Sequence, residues 1–509
     1  MNQRFKIKPI SKRHLLLGAT AGLAASVLPA WRRAEAADQY GLIVIGGGTA
    51  GMPAAIFAAE RGTRVLVIDK APILGGTLDR SNGQIAAAGT VFQDAKGIQD
   101  SPDEHYADNM RINRNTADPV LTRLFVDNAG ESVNWLAKNG YRVLDDHPTT
   151  GGGHEPFSKA RYMWGAEEGV SIFNAMEPAL LKGVEAGRID LLMSTGAVDL
   201  IQDSTGAVLG VVTEDDVGKR QDHYGQHVLI SSGGFAANPR MFQDMHGVPL
   251  TRDIAYPYSQ GQGILLGQGA GGYVRGQDKF ASIFGGLMAD NTYPTQFEAY
   301  FSGNPARRPP REIYVNVHGD RFVREDYPGL DYREQALGRQ PGLRMWIIAD
   351  HELMTTSTPF VGGWTLDQMM EGFETHSMFF KADSIDALGV KAGVNPHGLR
   401  KSVDQFNEAI DSGAPDPFGR VHRPSKISKG PFYAVTMTGW TVVSSAGLTV
   451  DGRLRVMRPD GTPVPNLYAA GEVLGAGVTS GKAFTNGSLV TPAITFGRLL
   501  GQKFLNFEV

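Results

Sequence analysis

The fold of this chain is decided by residues 40–45 (YGLIVI) together with the glycine-rich turn that follows, residues 46–51 (GGGTAG). YGLIVI is a short apolar run of the kind that forms a strand buried in a parallel sheet. Residues 52–61 are rich in alanine and predict a helix that Gly62 ends. Residues 64–68 (RVLVI) then predict a second strand, which Asp69 closes. This order of strand, turn, helix, strand and acid predicts a Rossmann-like α/β domain.

The turn has the spacing of a dinucleotide cradle. Gly46 permits the tight turn, Gly48 lets backbone N–H groups approach a pyrophosphate, and Gly51 allows the helix to pack closely. The helix N-terminus adds partial positive charge. Asp69 stands about 20 residues on, where a carboxylate can accept a hydrogen bond from a ribose hydroxyl. The sequence therefore predicts dinucleotide binding in this turn.

The composition of the chain excludes several classes of protein and of active site. The 509 residues include 64 glycines and no cysteine, and 42% are hydrophobic. The hydrophobic share is enough for a sizeable core, and the glycines show no three-residue period, so disorder and collagen are excluded. Without cysteine there is no disulfide, thiolate nucleophile, cysteine-ligated zinc or iron–sulfur cluster. No cluster has the spacing of metal ligands, so no metal is predicted.

Residues 1–36 have the features of an export signal. Five basic side chains lie between residues 4 and 13, a mildly apolar stretch covers residues 15–30, and Ala34-Glu35-Ala36 is a small-residue cleavage site. The apolar stretch is shorter than the ~20 residues of a spanning helix, so a membrane anchor is the less favoured alternative. Residues 11–16 (SKRHLL) resemble a twin-arginine signal with lysine for the first arginine, which leaves the general secretory route open as well. We expect a periplasmic or secreted protein without stable membrane insertion.

Charge argues against some partners. Loss of residues 1–36 removes seven basic residues and one acidic residue, which takes the formal net charge from −4 to −10. An acidic chain of this kind is not expected to bind nucleic acid or an anionic membrane surface.

Four later blocks resemble flavoproteins of the fumarate reductase and succinate dehydrogenase superfamily. Residues 69–77 (DKAPILGGT) are similar to the segment after the ribose-binding acid, and residues 81–90 (SNGQIAAAGT) to the stretch beneath the flavin. Residues 227–238 (HVLISSGGFAAN) resemble the strand and turn that return to FAD, and residues 465–473 (PNLYAAGEV) the late motif whose acid binds FAD.

The resemblance implies FAD as cofactor. Attachment is expected to be non-covalent, because residues 77–90 lack the histidine that membrane-bound members use. The predicted cofactor-binding residues are Gly46, Gly48, Thr49, Ala50, Gly51, Asp69, Lys70, Gly75, Gly76, Thr77, Ser81, Asn82, Gly83, Val198, Gly233, Gly234, Gly471, Glu472, Ser488 and Leu489.

The resemblance also implies a split domain organisation. The FAD-binding domain is expected over residues 37–280 and 430–509, with an inserted α+β capping domain over 281–429. Residues 313–325 (IYVNVHGDRFVRE) resemble the cap's hairpin, two short strands joined at His318-Gly319-Asp320 and braced by Arg321 and Glu325. Substrate is expected in the cleft between the domains.

The chain departs from soluble fumarate reductases where those enzymes bind carboxylates. Residues 440–447 (WTVVSSAG) have Val442 and Val443 where the family carries two histidines. Residues 480–488 (SGKAFTNGS) place Phe484 near the family's arginine, unless Lys482 substitutes as a point charge. A dianionic substrate is therefore expected to bind poorly, because each buried unpaired carboxylate costs several kcal/mol.

The candidate catalytic residues are Tyr433, Arg333, Tyr293 and His154. Tyrosines serve as base and electrophile in the ketosteroid dehydrogenases of the superfamily, Arg333 follows the hairpin roughly where fumarate reductases carry an acid arginine, and His154 lies in a glycine-rich segment. Each has an ordinary structural alternative, either core packing or a surface ion pair.

The sequence thus predicts an exported FAD enzyme. It would make or remove a C–C double bond next to a carbonyl in a neutral ketone-type substrate, cyclic ones included, by hydride transfer at flavin N5. The alternative is a periplasmic reductase of a small unsaturated carboxylate, fed by a separate cytochrome. The absence of cysteine implies that electrons pass directly to or from a diffusible quinone or a cytochrome.

Overall fold

The computed structural model describes residues 39–252 and 255–507. The export signal predicted for residues 1–36 lies outside the described residues. Within the described ranges, no helix combines the length and apolarity needed to cross a bilayer.

The strands of the described chain alternate with helices in its first third and cluster later. They are β1 Tyr40–Ile45, β2 Val65–Ile68, β3 Ile85–Ala86, β4 Tyr162–Met163, β5 Ile189–Leu192, β6 Thr195–Gln202, β7 Val208–Asp215, β8 Arg220–Ile230, β9 Val274–Arg275, β10 Ile283–Met288, β11 Phe297–Tyr300, β12 Ile313–Val315, β13 Arg344–Asp350, β14 Phe379–Ala382, β15 Phe432–Trp440, β16 Gly447–Leu448, β17 Arg455–Met457 and β18 Pro463–Ala469.

The α-helices are α1 Gly51–Glu60, α2 Val91–Asp94, α3 Pro102–Ile112, α4 Pro119–Lys138, α5 Gly169–Glu185, α6 Pro239–His246, α7 Gln262–Gly269, α8 Leu330–Leu337, α9 His351–Thr356, α10 Leu366–Thr375, α11 Ile385–Ala392, α12 Pro396–Asp411, α13 Gly477–Ser480 and α14 Val490–Leu499. Short 3-10 turns cover Gly76–Arg80, Gln277–Lys279, Pro341–Leu343 and Glu472–Leu474, and a π-turn covers Leu500–Phe504.

The first sheet forms the FAD-binding domain. Its strands run in the order β17-β18-β8-β1-β2-β5, and β6 and β7 extend from the outer half of the long strand β8. The pairings β18–β8, β8–β1, β1–β2 and β2–β5 are parallel. β1 is central and buried because helices cover the sheet, which accounts for its run of Leu, Ile and Val. The expected Rossmann-like α/β architecture is confirmed.

The second sheet forms the cap. Its strands run β11-β10-β15-β13-β12, with β14 also paired to β15, and the pairs are antiparallel. The cap therefore includes β15, and the boundary expected at residue 430 is wrong: the cap extends through Trp440. Strand pairing decides the boundary, because β15 exchanges hydrogen bonds with strands about 50 to 160 residues earlier in the chain rather than with its sequence neighbours.

The predicted hairpin forms only in part. β12 is present and the turn at His318-Gly319-Asp320 closes, but its expected second strand is reduced to one bridge between Val315 and Arg321. Arg321 donates from Nε and Nη2 to the two oxygens of Glu325, at 2.9 and 2.7 Å, and also contacts Asp416. This pairing within one segment curls the chain after the turn, so Arg321 and Glu325 brace it as expected.

Candidate active site

The turn after β1 is shaped for a ligand that approaches the backbone. Gly46 has φ +103°, and a Cβ there would lie 2.6 Å from the carbonyl oxygen of Ser231. A Cβ on Gly51 would lie 1.9 Å from the carbonyl oxygen of Gly46. At Gly48 the nearest atom would be 3.6 Å away, so its face of the turn is open. Thr49 and Ala50 lead into α1, whose N-terminus points at this opening.

Asp69 closes β2 beside the turn. Its carboxylate accepts hydrogen bonds from the backbone N–H groups of Gly47, at 2.7 Å, and Ala71, at 2.8 Å. Burial raises the pKa of Asp69 above its ordinary value, against the effect of these two bonds. The adjoining Lys70 points outward instead, to Asp216 at 2.8 Å, so its side chain lies outside the cradle.

Glu472 lies on the opposite wall. Its Oε1 accepts from the backbone N–H of Ser444 at 2.8 Å and from the Ser444 hydroxyl at 3.1 Å. Burial raises the pKa of Glu472. A Cβ on Gly234 would lie 2.6 Å from this carboxylate, and one on Gly471 would lie 3.1 Å from Ala50 Cβ. The strand-end glycines and the late motif therefore meet at the first turn, as the sequence predicts.

The remaining predicted cofactor residues lie on several elements of the FAD-binding region. Gly75 and Gly76 both have positive φ, and Gly76 packs against Gly48. Ser81 accepts from the N–H of Gly83 at 3.0 Å. The rest occupy these places: Thr77 in the 3-10 turn, Asn82 between Ser81 and Gly83, Val198 half-buried in β6, Gly233 with positive φ after β8, and Ser488 and Leu489 before α14.

These residues fit FAD. Several buried polar groups near the late motif have no hydrogen-bond partner within the described protein, namely the hydroxyls of Ser480 and Thr485 and the side-chain amide of Asn486. Buried polar atoms are normally hydrogen-bonded, so unpaired ones beside a glycine-lined groove indicate a polar ligand. Asp69 and Glu472 would bind FAD hydroxyl groups, and the turn at residues 46–51 would bind its phosphates.

Two adjoining cavities lie where the cap meets the FAD-binding domain. The smaller, of about 60 Å³, is lined mainly by apolar side chains, among them Val442, Val443, Ala483 and Phe484. The larger, of about 360 Å³, is lined by polar and charged residues that include Arg114, Asp278 and Lys482. The cavities share Ala281, Ser282, Glu334 and Ala483. Together they reach the size of ligand pockets, about 300–1,000 Å³.

Three acid–base side chains meet beside these cavities, and two of them line a cavity: Asp331 the polar one and Glu334 both. His154 Nδ1 lies 3.2 Å from Asp331 Oδ1 and 3.7 Å from Glu334 Oε2. His154 comes from the loop before β4, whereas Asp331 and Glu334 are one turn apart on α8 of the cap. We call these three residues the interdomain cluster. The sequence analysis singled out His154 but missed both acids; their i, i+3 spacing on a short helix was the signal available.

The pKa values of the three side chains in the interdomain cluster are shifted in different directions. Burial raises the pKa of Glu334 to about 7. Burial alone would raise the pKa of Asp331, but hydrogen bonds from His154 and from the backbone of Glu155 and Phe484 hold that pKa below its ordinary value. Burial would lower the pKa of His154, but the charges of Glu334 and Asp331 raise it. One possible metal-ligand atom from each of the three side chains lies within 4.8 Å of the other two. Both oxygens of Asp331 already accept hydrogen bonds, so we interpret the group as a cluster that holds a proton rather than a metal ion.

The other predicted catalytic residues lie elsewhere. The Tyr433 hydroxyl lies 3.2 Å from His351 Nδ1 inside the cap core, and Tyr433 does not line either cavity. Arg333 is buried against the ring of Phe284 and donates to the carbonyl of Gly303. Tyr293 donates to the carbonyl of Gly342 at 3.0 Å and lies under Arg344. Of the four predicted catalytic residues, His154 contacts Asp331 and Phe484, which line the cavities, but it lines neither cavity itself.

Two further basic residues near the cleft are Lys482 and Arg252. Lys482 forms an ion pair with Asp278 at 2.9 Å on the polar cavity. Arg252, which the sequence analysis missed, is 1% exposed and packs against the rings of Phe297 and Trp440, each centroid 4.0 Å from Cζ. Burial lowers the pKa of Arg252 to about 10. No sequence signal marks Arg252, because its aromatic partners lie on strands β11 and β15.

Comparison with known proteins agrees with this geometry. Residues 41–484 match the family described as "FAD binding domain". A fumarate reductase (cytochrome) from Shewanella frigidimarina is 27% identical over 483 residues, covering 92% of this chain and 78% of that protein. A vinyl phenol reductase from Lactiplantibacillus plantarum is 28% identical over 496 residues, covering 91% of this chain and 96% of that protein.

The fold is shared with solved structures. A 3-ketosteroid delta1-dehydrogenase from Sterolibacterium denitrificans superimposes with a TM-score of 0.67 at 19% identity, covering 92% of this chain and 99% of that one. The cradle, the interdomain cleft and these similarities agree. The chain is an FAD-dependent oxidoreductase acting on carbon–carbon single or double bonds, and it belongs to the FAD-dependent fumarate reductase and succinate dehydrogenase flavoprotein superfamily.

Proposed function

We propose that this enzyme oxidises or reduces a carbon–carbon bond next to a carbonyl in a neutral, mostly apolar substrate such as a cyclic ketone. One observation carries the proposal. The two segments that resemble the carboxylate-binding segments of fumarate reductases converge on one cavity, and they present Val442, Val443 and Phe484 there. Such a wall favours a neutral ligand, because these three side chains offer no hydrogen-bond donor to a carboxylate.

The charges around the cavity support the same substrate class. Among the described residues that line the apolar cavity, Lys279 and Glu334 carry the ionisable groups. Burial lowers the pKa of Lys279 below its ordinary value. A dianion such as fumarate needs two anchors, and a buried carboxylate left unpaired costs several kcal/mol.

FAD, when bound, supplies the exchange of a hydride at its N5 atom. The chain supplies the rest. The apolar wall would orient the substrate and exclude water, and the cap would cover the reacting bond. We also propose that FAD binds non-covalently, held by the turn at residues 46–51, Asp69 and Glu472.

A small unsaturated carboxylate is the second candidate, with electrons supplied by a separate cytochrome. Two observations favour it: the similarity to a fumarate reductase (cytochrome), and the position of Lys279 on the apolar cavity. The similarity to a vinyl phenol reductase favours the neutral charge of the first candidate's substrate, because vinyl phenol is an uncharged alkene, but it does not bear on the carbonyl.

The test is flavin reoxidation by a panel of alkenes. The holoenzyme is reduced anaerobically and mixed with 4-vinylphenol, a 3-ketosteroid enone, cyclohexenone, fumarate or urocanate, and the return of oxidised flavin absorbance is followed. Neutral compounds are expected to reoxidise the flavin fastest. Rapid reoxidation by fumarate alone, with every neutral alkene inactive, refutes the proposed substrate class.

A gain-of-binding variant sharpens the test. Val443→His with Phe484→Arg returns the two missing anchor types to the cavity. Fumarate is then expected to bind about 10-fold or more tighter, since one charge-assisted hydrogen bond contributes about 1.5–3 kcal/mol. The matched control is Val421→His, because Val421 is 77% exposed on the cap surface. Equal fumarate binding in both variants contradicts the assignment of the cavity.

We further propose that the protein is exported, to the periplasm or the exterior, and exchanges electrons with a quinone or a cytochrome. Cell fractionation with N-terminal sequencing is expected to find a product that begins at Ala37. A cytoplasmic product that retains residues 1–36 contradicts export.

A further inference from the structure

The proposed substrate assignment gives the interdomain cluster no catalytic role, yet the cluster is a buried acid–base group at the cleft. The side chains of His154, Asp331 and Glu334 are 15%, 10% and 4% exposed. Asp331 fastens the cluster: it accepts from the backbone of Glu155 at 3.0 Å and of Phe484 at 3.3 Å. The cap helix α8 is therefore tied to both the loop before β4 and the late segment of the FAD-binding domain.

Glu334 differs from its neighbours because half of its carboxyl group is free. Oε2 faces His154, whereas Oε1 is buried without a hydrogen-bond partner in the described protein. Glu334 also lines both cavities, so it stands between the apolar wall and the polar one. A buried carboxyl oxygen without a partner is costly unless it serves a ligand or holds a proton.

The geometry points to Glu334 as the catalytic residue that gives a proton to, or takes a proton from, the substrate carbon, with His154, 3.7 Å from its Oε2, as the group that exchanges the proton with it. This inference rests on the proposed site and deepens it. In the reducing direction the O–H bond of Glu334 breaks and a C–H bond forms at the carbon that does not receive the hydride. In the oxidising direction that C–H bond breaks, its electron pair enters the C=C bond, and Glu334 takes the proton.

The groups around the Glu334 carboxyl allow it to exchange a proton near neutral pH. Burial raises the pKa of Glu334 to about 7, the range in which a group can both give and take a proton. The nearby charged groups are His154 on the loop, Asp331 and Arg333 on α8, Lys279 across the apolar cavity, and Arg114, Asp278, Arg339 and Lys482 around the polar cavity. The negative charge of Asp331 raises the pKa of Glu334, and the positive charge of His154 lowers it.

Asp331 acts as a positioning residue. Its pKa is held below the ordinary value, so it stays ionised and orients His154 through the 3.2 Å contact at Nδ1. The ring of His154 also packs on that of Phe484, with centroids 4.5 Å apart. These contacts fix His154 between Glu334, which moves the proton, and Asp331, which stays ionised.

The test compares Glu334→Gln and Glu334→Asp with Glu352→Gln, a matched substitution at a partly exposed cap residue paired with Lys429. In the holoenzyme, Glu334→Gln is expected to slow reoxidation of the reduced flavin by the best alkene of the panel by about 10²- to 10⁴-fold. Glu334→Asp should recover part of that rate, and Glu352→Gln should match the wild type. Reoxidation by ferricyanide, which needs no proton delivered to carbon, should be unchanged in all of them.

The pH profile separates a catalytic role from a structural one. Alkene reduction by the wild type should fall as pH rises through about 7, because the protonated form of Glu334 is lost. Glu334→Gln should lack this limb, and His154→Gln should move it to higher pH, because the positive charge that lowers the pKa of Glu334 is gone.

Three results overturn the inference: a Glu334→Gln rate within twofold of the wild type, an unchanged pH limb in that variant, or a parallel loss of ferricyanide reactivity and bound flavin. Stoichiometric metal that disappears in Glu334→Gln would overturn it as well. The assay uses whichever alkene reacts, so failure of the neutral compounds refutes the substrate class and leaves the test of Glu334 intact.

Discussion

Arg161 is the buried cation that holds the floor of the cofactor groove, and its removal should be strongly destabilising. Its side chain is fully buried, with Nε and Nη2 bonded to the two oxygens of Asp100 at 2.9 and 2.7 Å, and Nη1 bonded to Asp108. The carbonyl of Arg161 accepts from the N–H of Ala87 at 3.2 Å, within the stretch expected beneath the flavin. The ion-pair network and the groove therefore share one residue.

The magnitude follows from what Arg161→Met leaves behind. Methionine fills much of the space, but Asp100 and Asp108 lose their shared cation and remain buried. Breaking a buried ion pair from one side costs about 3–5 kcal/mol, so we expect a loss of that size in the free energy of unfolding at pH 7.

The pH dependence has a definite sign. Burial alone would raise the pKa of Asp100, but Arg161 holds it below the ordinary value, and the same holds for Asp108, where Arg111 and Ser158 also contribute. A depressed pKa stabilises the fold above the unfolded value of about 3.9 and loses that effect as pH falls through the folded value. In Arg161→Met both values rise and the carboxylates neutralise earlier. The stability difference should therefore shrink as pH falls from 7 towards 4.

Urea unfolding at saturating FAD, followed by tryptophan fluorescence at pH 7 and pH 5, measures this difference. Arg123→Met is the control, because Arg123 is 35% exposed and pairs with Asp127 on the surface of α4. Exposed pairs contribute about 0–1 kcal/mol. A loss below about 1 kcal/mol in Arg161→Met, or a difference that grows as pH falls, refutes the reasoning.

Three further predictions concern the groove, the cleft and the cap. Gly487→Ala should abolish FAD retention, since Gly487 has φ +74° and a Cβ there would lie 2.4 Å from the N atom of Ala86; an unchanged flavin-to-protein absorbance ratio contradicts it. Trp440→Leu should cost about 2–4 kcal/mol in thermal unfolding, because it opens a cavity and removes one of the two rings that Arg252 packs against; an unchanged Tm is the contrary result. Tyr433→Phe should leave flavin reoxidation within twofold of the wild type, because its hydroxyl contacts the cap interior; a hundredfold loss would restore Tyr433 as a catalytic candidate.

Local patterns were sufficient to predict the cofactor groove. The strand β1, the turn at residues 46–51, α1, β2 and Asp69 all follow one another within 30 residues, so their geometry is specified by neighbours in the chain. Glycine spacing also marked Gly234 and Gly471, where a Cβ would lie 2.6 Å from the Glu472 carboxylate and 3.1 Å from Ala50 Cβ. The predicted α/β fold and its insertion follow from the same motifs.

Long-range pairing limited the rest of the prediction. The second boundary of the cap was missed because β15 is central to the cap sheet, a fact that its own sequence does not carry. Tyr433 was placed near the cofactor by a motif, but residues alternate faces along a strand, and the pairing of β15 with β13 and β14 turns this side chain into the cap core.

The sequence by itself determined the cofactor and the superfamily, because both follow from contiguous motifs, and it predicts the absence of the usual carboxylate anchors. Only the tertiary structure decided that Val442, Val443 and Phe484 share one cavity and that His154, Asp331 and Glu334 meet beside it. The physical reason is burial. A glutamate on a short helix looks like any surface acid until a second domain covers it, removes its water and sets its pKa beside two other charges.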